Sequence, residues 1–315
     1  MLTSLQIENF KGFSQLTIKP LAKVNLFVGA SNSGKTSVLE AVSVLPQMGG
    51  FKLPTFRDAE MDISGELESW RWMTHNLTKS PIRVTGQRDN GPWVFEVSEE
   101  NSASNLAIHV GWTQDGRMIK WHPSGDLLRD RIVTVSTRRL GATDLAKDYD
   151  RWTLRAENED RFVEFLKPLE PRLKSLRPME HTGQRMLYAD VRLPERIALP
   201  LLGEGFNRLV QIFGAIIGEK ADVVLIDEIE NGLHWSALPQ IWQGLREAVS
   251  KENVQIFATT HSLECISAAV EVFKGEPKDD LAVHRLERTE NGDIRCITMG
   301  EDELERMMER QWEIR

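Results

Sequence analysis

The stretch Val-Asn-Leu-Phe-Val-Gly-Ala-Ser-Asn-Ser-Gly-Lys-Thr-Ser-Val-Leu-Glu-Ala, residues 24–41, decides the fold of this chain. Its apolar start, Val24 to Val28, predicts a short buried strand, and apolar residues return at helical spacing from Val38 onward. Between them, Gly29 to Thr36 matches the pattern G-x-x-x-x-G-K-[ST]. Because the match lies between a strand and a helix, it predicts a phosphate-binding P-loop; the alternative is a Gly/Ser-rich turn that fits by chance.

The chemistry of this loop follows from its glycines, its lysine and its threonine. Gly29 and Gly34 let the backbone turn its N–H groups inward around a phosphate, and the helix that follows adds the positive end of its dipole. Lys35 is predicted to reach the β- and γ-phosphates of ATP, and Thr36 to bind Mg²⁺. The predicted ATP-binding residues of the loop are Gly29, Ala30, Ser31, Asn32, Ser33, Gly34, Lys35, Thr36 and Ser37.

Composition limits the class of protein. The chain has 315 residues, of which 41% are hydrophobic and 27% charged, as in an ordinary soluble globular protein. The net charge of −8 argues against DNA binding by the whole surface and leaves a local basic groove open. The two cysteines lack metal-site spacing, and no signal peptide or apolar run of about 20 residues occurs. We therefore expect a cytoplasmic protein with reduced thiols and no membrane partner.

The order of elements predicts an α/β fold. Alternating apolar positions at the N-terminus and over 81–121 indicate antiparallel hairpins, whereas strands and helices alternate over 201–273, as in a parallel sheet with crossover helices. A mixed central sheet with an N-terminal antiparallel β subdomain and an inserted arm follows. The predicted divisions are one core domain from 1–50 and 185–300, an inserted β-rich and then helical lobe at 51–184, and a C-terminal helix at 301–315.

A second apolar strand ends in two acids, Asp227 and Glu228. Such a strand delivers a Mg²⁺ ligand to the carboxyl edge of a parallel sheet, a role predicted for Asp227, and Glu228 is predicted to polarise the attacking water as general base. The following strand ends in His261, which is predicted to contact the γ-phosphate. The alternatives are two acids at the mouth of a strand and a structural histidine.

A second glycine-rich helix start, Gly203-Glu204-Gly205, is another predicted anion site. One P-loop needs no second site of this kind, whereas an ATP shared between two protomers would. These three residues are therefore included among the predicted ATP contacts.

Five motifs together carry a family resemblance. The chain resembles ABC-superfamily ATPases of the RecF-, SMC- and OLD-like group, often grouped as AAA family ATPases. The motifs are Ile7 to Phe13, the P-loop, Gly203 to Arg208, Leu225 to His234 and Ala258 to Ser262.

The resemblance implies a homodimer arranged head to tail, with two ATPs held between each P-loop and the partner's signature loop. ATP binding would close the dimer, hydrolysis by Glu228 would open it, and residues 231–234 would form the D-loop at the interface. The usual Ser-Gly-Gly of the signature is replaced by Gly203-Glu204-Gly205. Only 54 residues follow His261 (315 − 261), too few for the Toprim nuclease of most OLD-type chains. Assemblies larger than a dimer remain open.

Three functions are compatible with these residues. The first is an ATPase that switches a separate effector, a nuclease or toxin, in anti-phage defence or DNA repair. The second is a RecF-like, ATP-gated DNA clamp. The third, suggested by the altered signature, is a nucleotide-holding scaffold with little turnover. The candidate DNA contacts of the clamp are Arg129, Arg131, Arg138 and Arg139.

Overall fold

The protein is described by a computed structural model that covers 1–45, 72–78, 80–89, 91–99, 106–114, 117–120, 131–137, 140–181, 183–275, 280–300, 303, 304 and 306. The strands in this part of the chain are β1 (Leu2–Phe10), β2 (Phe13–Ile18), β3 (Val24–Val28), β4 (Ile82–Arg88), β5 (Gly91–Glu99), β6 (Leu106–Gln114), β7 (Arg117–Lys120), β8 (Ile132–Val135), β9 (Ser175–His181), β10 (Gln184–Asp190), β11 (Ile197–Ala198), β12 (Val223–Ile226), β13 (Gln255–Thr259), β14 (Leu281–Arg288) and β15 (Ile294–Met299). The α-helices are α1 (Lys35–Val44), α2 (Ala142–Trp152), α3 (Ala156–Leu166), α4 (Glu204–Phe213), α5 (Leu238–Glu252) and α6 (Leu263–Phe273).

A mixed sheet in the order β15-β14-β3-β13-β12-β8 positions the P-loop. All neighbours in it are parallel except β14 and β15. Every residue of β3 is buried, because the strand is covered on both faces. Val24 and Leu26 belong to the core cluster beneath α4, α5 and α6, whereas Phe27 belongs to the cluster around α1 and β1. The predicted α/β fold with a mixed central sheet is confirmed.

The N-terminal hairpin continues into a larger antiparallel sheet, in the order β2-β1-β4-β5-β6-β7. The strands predicted over 81–121 are therefore joined to β1, and β8, which the predicted lobe also includes, pairs with β12 in the central sheet. Strand pairing between distant segments leaves no local mark in a sequence, which is why the predicted boundaries do not coincide with the sheets. The division into core and lobe stays a prediction, and most of the predicted helix at 301–315 lies outside the described residues.

A π-helical turn after α4 packs against α2. Gly214 and Gly218 both lie against the ring of Trp152, and a Cβ atom at either position would overlap it. The indole Nε1 of Trp152 donates a hydrogen bond of 2.8 Å to Glu219 Oε1 at the end of this turn. The glycine spacing thus lets α2 pack tightly against the element that extends α4.

Burial of His284 beside the P-loop strand gives stability a defined pH dependence. Its ring stacks on Phe27 with centroids 4.9 Å apart, and its nitrogens lie 3.1 Å from Asn25 Oδ1 and 3.0 Å from Thr298 Oγ1. Desolvation lowers the pKa of His284 from 6.5 to about 3, so the folded protein keeps the ring neutral. Below pH 6.5, His284 binds a proton in the unfolded chain but stays neutral in the folded chain. The free energy of unfolding therefore falls as the pH falls toward 3.

We expect this histidine to cost about 2 kcal/mol of unfolding free energy between pH 7.5 and pH 5.0, at about 1.4 kcal/mol per pH unit below its unfolded pKa. Urea unfolding of the wild type and of His284→Gln, which keeps a polar side chain without this titration, measures the difference. Equal losses of stability in the two proteins over this pH range would show that His284 does not cause the dependence.

Candidate nucleotide-binding site

The loop between β3 and α1 has the shape of an anion cradle. Gly29 has φ 139° and Gly34 has φ 93°, backbone conformations that residues with a side chain rarely adopt. A Cβ atom at Gly29 would overlap the carbonyl oxygen of Leu286, and one at Gly34 would lie 2.7 Å from the ring of Phe13. Both glycines of the motif are therefore required by the backbone and by their neighbours.

Lys35, the first residue of α1, lies inside this loop. Its side chain is buried, and Nζ donates hydrogen bonds of 2.8 Å to Gly29 O and 2.9 Å to Ala30 O. Phosphate oxygens accept from an ammonium group more strongly than carbonyl oxygens do, because the hydrogen bond is then between opposite charges. The lysine is thus held where a bound phosphate could replace its backbone partners.

Two oxygen ligands suited to Mg²⁺ meet beside the loop. Thr36 Oγ1 donates a hydrogen bond of 3.1 Å to Asp227 Oδ1, although the two residues are far apart in sequence. The same Asp227 oxygen accepts a 2.7 Å hydrogen bond from Thr259 Oγ1, which fixes the carboxylate. The described residues contain no group of three or more His, Cys, Asp or Glu that could hold a metal. A hydroxyl and one carboxylate fit Mg²⁺, which completes its shell with phosphate oxygens and water.

Glu228 and His261 lie at the ends of β12 and β13, on one side of the P-loop. The backbone N–H of Glu228 donates a 2.8 Å hydrogen bond to Thr259 Oγ1, and Glu228 has φ 48°. The backbone N–H of His261 donates a 2.8 Å hydrogen bond to Glu230 Oε1. Sequence reasoning missed the role of Glu230 in holding the backbone of His261; its only signal is an acid two residues after Glu228.

A cavity of about 440 Å³ is lined by Lys35, Thr36, Glu228 and His261 together. Glu228 and His261 lie in its wall with the loop, whereas Gly203, Glu204 and Gly205 do not. The residues that line it are Lys11, Gly12, Ser31, Asn32, Gly34, Lys35, Thr36, Ser37, Glu40, Glu228, His261, Arg288 and Ile294.

The glycine-rich start of α4 does not line this cavity. Gly203 and Glu204 are exposed, and a Cβ atom at Gly203 would meet nothing within 4 Å. Gly205 packs closely on residues 231–234, since a Cβ atom there would lie 2.6 Å from Gly232 O. The start of α4 therefore presents an open, glycine-lined surface to solvent, with the predicted D-loop beside it.

Arg208, on the second turn of α4, connects this helix to the end of β12. Its buried guanidinium donates hydrogen bonds to the backbone carbonyls of Ser136 and Asp227. Desolvation lowers the pKa of Arg208 to about 10, against the opposing effect of the nearby carboxylates, so the group stays charged at neutral pH. Arg208 is the last residue of the motif Gly203 to Arg208, but no role was predicted for it.

Comparison with known proteins assigns the family. Residues 107–267 match the family model described as "AAA domain, putative AbiEii toxin, Type IV TA system". The chain belongs to this AAA family. Residues 1–90 of the AAA protein also match a model described as an AAA ATPase domain.

Relatives of the AAA protein include two curated proteins. An ATP/GTP phosphatase of Helicobacter pylori is 21% identical over 330 residues, which cover 87% of this chain and 89% of the relative. The DNA replication and repair protein RecF of Vibrio atlanticus is 35% identical over 131 residues, which cover 41% of this chain and 35% of RecF.

Solved structures agree on the fold of the AAA protein. An SMC head bound to the C-winged helix domain of ScpA has a TM-score of 0.63 at 16% identity and covers 98% of this chain and 99% of its own. The SMC head domain of Thermotoga maritima has a TM-score of 0.55 at 14% identity and covers 95% and 98%. The predicted membership in the RecF and SMC group of ABC-superfamily ATPases is confirmed, whereas the OLD-like assignment stays a prediction.

The AAA protein's predicted DNA contacts are only partly described. Arg131 donates hydrogen bonds from its backbone N–H to Asp222 Oδ2, at 2.8 Å, and from its guanidinium to the backbone carbonyl of Glu219. Arg129, Arg138 and Arg139 lie outside the described residues. Within the described ranges, no helix has the length and apolar character needed to cross a membrane.

Proposed function

We propose that two copies of this ATPase bind ATP and Mg²⁺ head to tail, each ATP lying between the P-loop of one protomer and the Gly203-Glu204-Gly205 loop of the other. One observation supports the proposal: P-loop residues, Glu228 and His261 line the cavity, whereas the second predicted anion site of the same chain does not, and its Gly203 and Glu204 are exposed. A partner copy can bring that loop to the cavity.

Hydrolysis in this site would use Lys35, Thr36, Glu228 and His261 of the cavity wall, with Asp227 bonded to Thr36 beside it. Glu228 accepts the proton of a water whose oxygen attacks the γ-phosphorus, while the bond to the bridging oxygen breaks and ADP leaves. Lys35 donates to the β- and γ-phosphate oxygens, and His261 contacts the γ-phosphate on the other side. Thr36 and Asp227 would hold Mg²⁺, which would supply positive charge to the phosphate oxygens. Glu230 acts through its hydrogen bond to the backbone of His261.

Mixing two inactive variants tests the shared site. Lys35→Ala removes the P-loop cation, and Glu204→Trp places a bulky ring on the exposed loop that would cap the partner's ATP. Each variant alone is expected to hydrolyse almost no ATP. An equal mixture should recover roughly a quarter of wild-type turnover, because about half of randomly paired dimers are mixed and each contains one intact composite site.

Glu157→Trp is the matched control, since Glu157 is an exposed acid in the first turn of another helix, α3. It should leave turnover unchanged. A mixture no more active than its separate components would contradict the shared site, and full activity of Glu204→Trp alone would remove the loop from it. Negligible turnover of the wild type itself would favour the scaffold with little turnover.

We propose that the biological role of this ATPase is to control a separate effector, a nuclease or toxin, in anti-phage defence or DNA repair. The matched family description reads "putative AbiEii toxin, Type IV TA system", which supports a role in such a system. A DNA clamp is the second candidate and is favoured by the match to RecF. A gel shift that requires ATP and weakens with salt would select the clamp, and a second polypeptide retained only with ATP would select the effector switch.

A further inference from the structure

The β14–β15 hairpin forms a wall of the nucleotide cavity. β14 runs parallel to β3 and extends past its end, so that Leu286 lies against Gly29 of the P-loop. Ile294, on β15, lies within 3.3 Å of the positions that Cβ atoms would occupy at both Gly12 and Gly34. The hairpin is therefore packed against the P-loop and against the turn between β1 and β2.

The sheet order gives the cavity a direction. β13 and β14 flank β3 on opposite sides, with His261 after β13 and Arg288 at the end of β14. The groups suited to the γ-phosphate and its attacking water, Glu228 and His261, lie on the β13 side. The remainder of a nucleotide held by the P-loop must then extend toward the β14 side, where Lys11, Gly12, Arg288 and Ile294 line the same cavity.

Arg288 differs from the other described arginines of this hairpin in its partners. Arg285 and Arg295 both pair with Glu287, at 2.8 Å and 2.7 Å. Arg288 instead donates to two backbone carbonyls, that of Gly292 at 2.7 Å and that of Asn32, in the P-loop, at 3.3 Å. Among the described residues its guanidinium pairs with no carboxylate, so its positive charge is not neutralised within the cavity.

Lys11, across the cavity, pairs with Glu40 of α1. Its charge is therefore already balanced on the wall formed by the β1–β2 turn. A guanidinium offers several N–H donors in a planar fork, which suits a phosphate oxygen together with neighbouring hydroxyl groups.

Building on the ATP-binding function proposed above, we propose that the β14–β15 hairpin binds the nucleoside 5′-phosphate end of the nucleotide. Arg288 donates to the α-phosphate and ribose oxygens. The P-loop then holds the β- and γ-phosphates.

Isothermal titration calorimetry with three probes tests this assignment. Arg288→Ala should weaken binding of AMP-PNP and of ADP by similar factors of about ten, the size expected for charge-assisted hydrogen bonds. Binding of inorganic pyrophosphate, which corresponds to the β- and γ-phosphates alone, should be unchanged. Arg288→Lys, which keeps the charge and loses the fork, should bind AMP-PNP with intermediate affinity.

Arg295→Ala is the matched control, because Arg295 lies on the same hairpin and does not line the cavity. It should bind all three probes like the wild type. Unchanged binding of AMP-PNP and ADP by Arg288→Ala would overturn the proposal. A comparable loss of pyrophosphate binding would place the guanidinium on the β- and γ-phosphates and would overturn it too. Failure of the wild type to bind AMP-PNP would instead refute the nucleotide site as a whole.

Discussion

Replacing Lys35 with alanine is expected to reduce nucleotide affinity by at least about a hundredfold, because its ammonium would lose charge-assisted hydrogen bonds to two phosphates. The Lys35 side chain is buried inside the loop and donates to two loop carbonyls, and no other described residue places a cation at that position. Titration calorimetry with AMP-PNP measures the loss. Unchanged affinity would refute the assignment of the loop between β3 and α1 as the phosphate site.

Two further proteins separate loss of charge from loss of packing. Lys35→Met retains most of the buried stem without the ammonium, and it should bind AMP-PNP as poorly as the alanine variant. Lys251→Ala removes an exposed lysine of α5 and should bind normally. If Lys35→Met bound normally and Lys35→Ala did not, the lysine would act through packing and not through its charge.

Replacing Glu228 with glutamine is expected to lower ATP turnover by about a hundredfold to ten-thousandfold, the range that a positioned general base contributes. Glutamine keeps the shape and hydrogen-bonding capacity but cannot accept the proton of the attacking water. The hydrogen bond to Thr259 uses the backbone N–H of Glu228, so it survives the change. Phosphate release under saturating ATP measures turnover, and AMP-PNP affinity should stay within a factor of about three of the wild type.

Glu271→Gln, an exposed position on α6, is the matched control and should hydrolyse ATP at the wild-type rate. Turnover by Glu228→Gln close to that of the wild type would exclude Glu228 as the general base. In that case Glu230 would be the next carboxylate to test, since it lies two residues further on and contacts the backbone of His261.

The P-loop could be predicted from sequence because all of its parts are consecutive. Strand, glycines, lysine and helix follow one another in a single segment, and each has its own local signal. The meeting of Thr36 and Asp227 could also be predicted, since parallel strands bring their carboxyl ends to one edge of a sheet. Neither prediction needs knowledge of which distant strands pair.

Other contacts had no such signal. Pairing of β4 with β1 and of β8 with β12 joins segments that are far apart in the chain. Alternation of apolar residues predicts a strand but does not indicate which strand it pairs with. No role was predicted for Arg288 from the sequence, because its place in the cavity depends on β14 running beside β3. Arg208 and Glu230 matter through backbone carbonyl and N–H groups, which every residue has.

The mass of Glu228→Gln in solution, measured by light scattering with and without ATP, tests the shared ATP site most directly. Because this variant should bind ATP without hydrolysing it, the proposed dimer should accumulate. We predict a mass near the single-chain value of 35.9 kDa without nucleotide, and near twice that value with ATP and Mg²⁺. A mass that saturating ATP leaves unchanged would contradict the account.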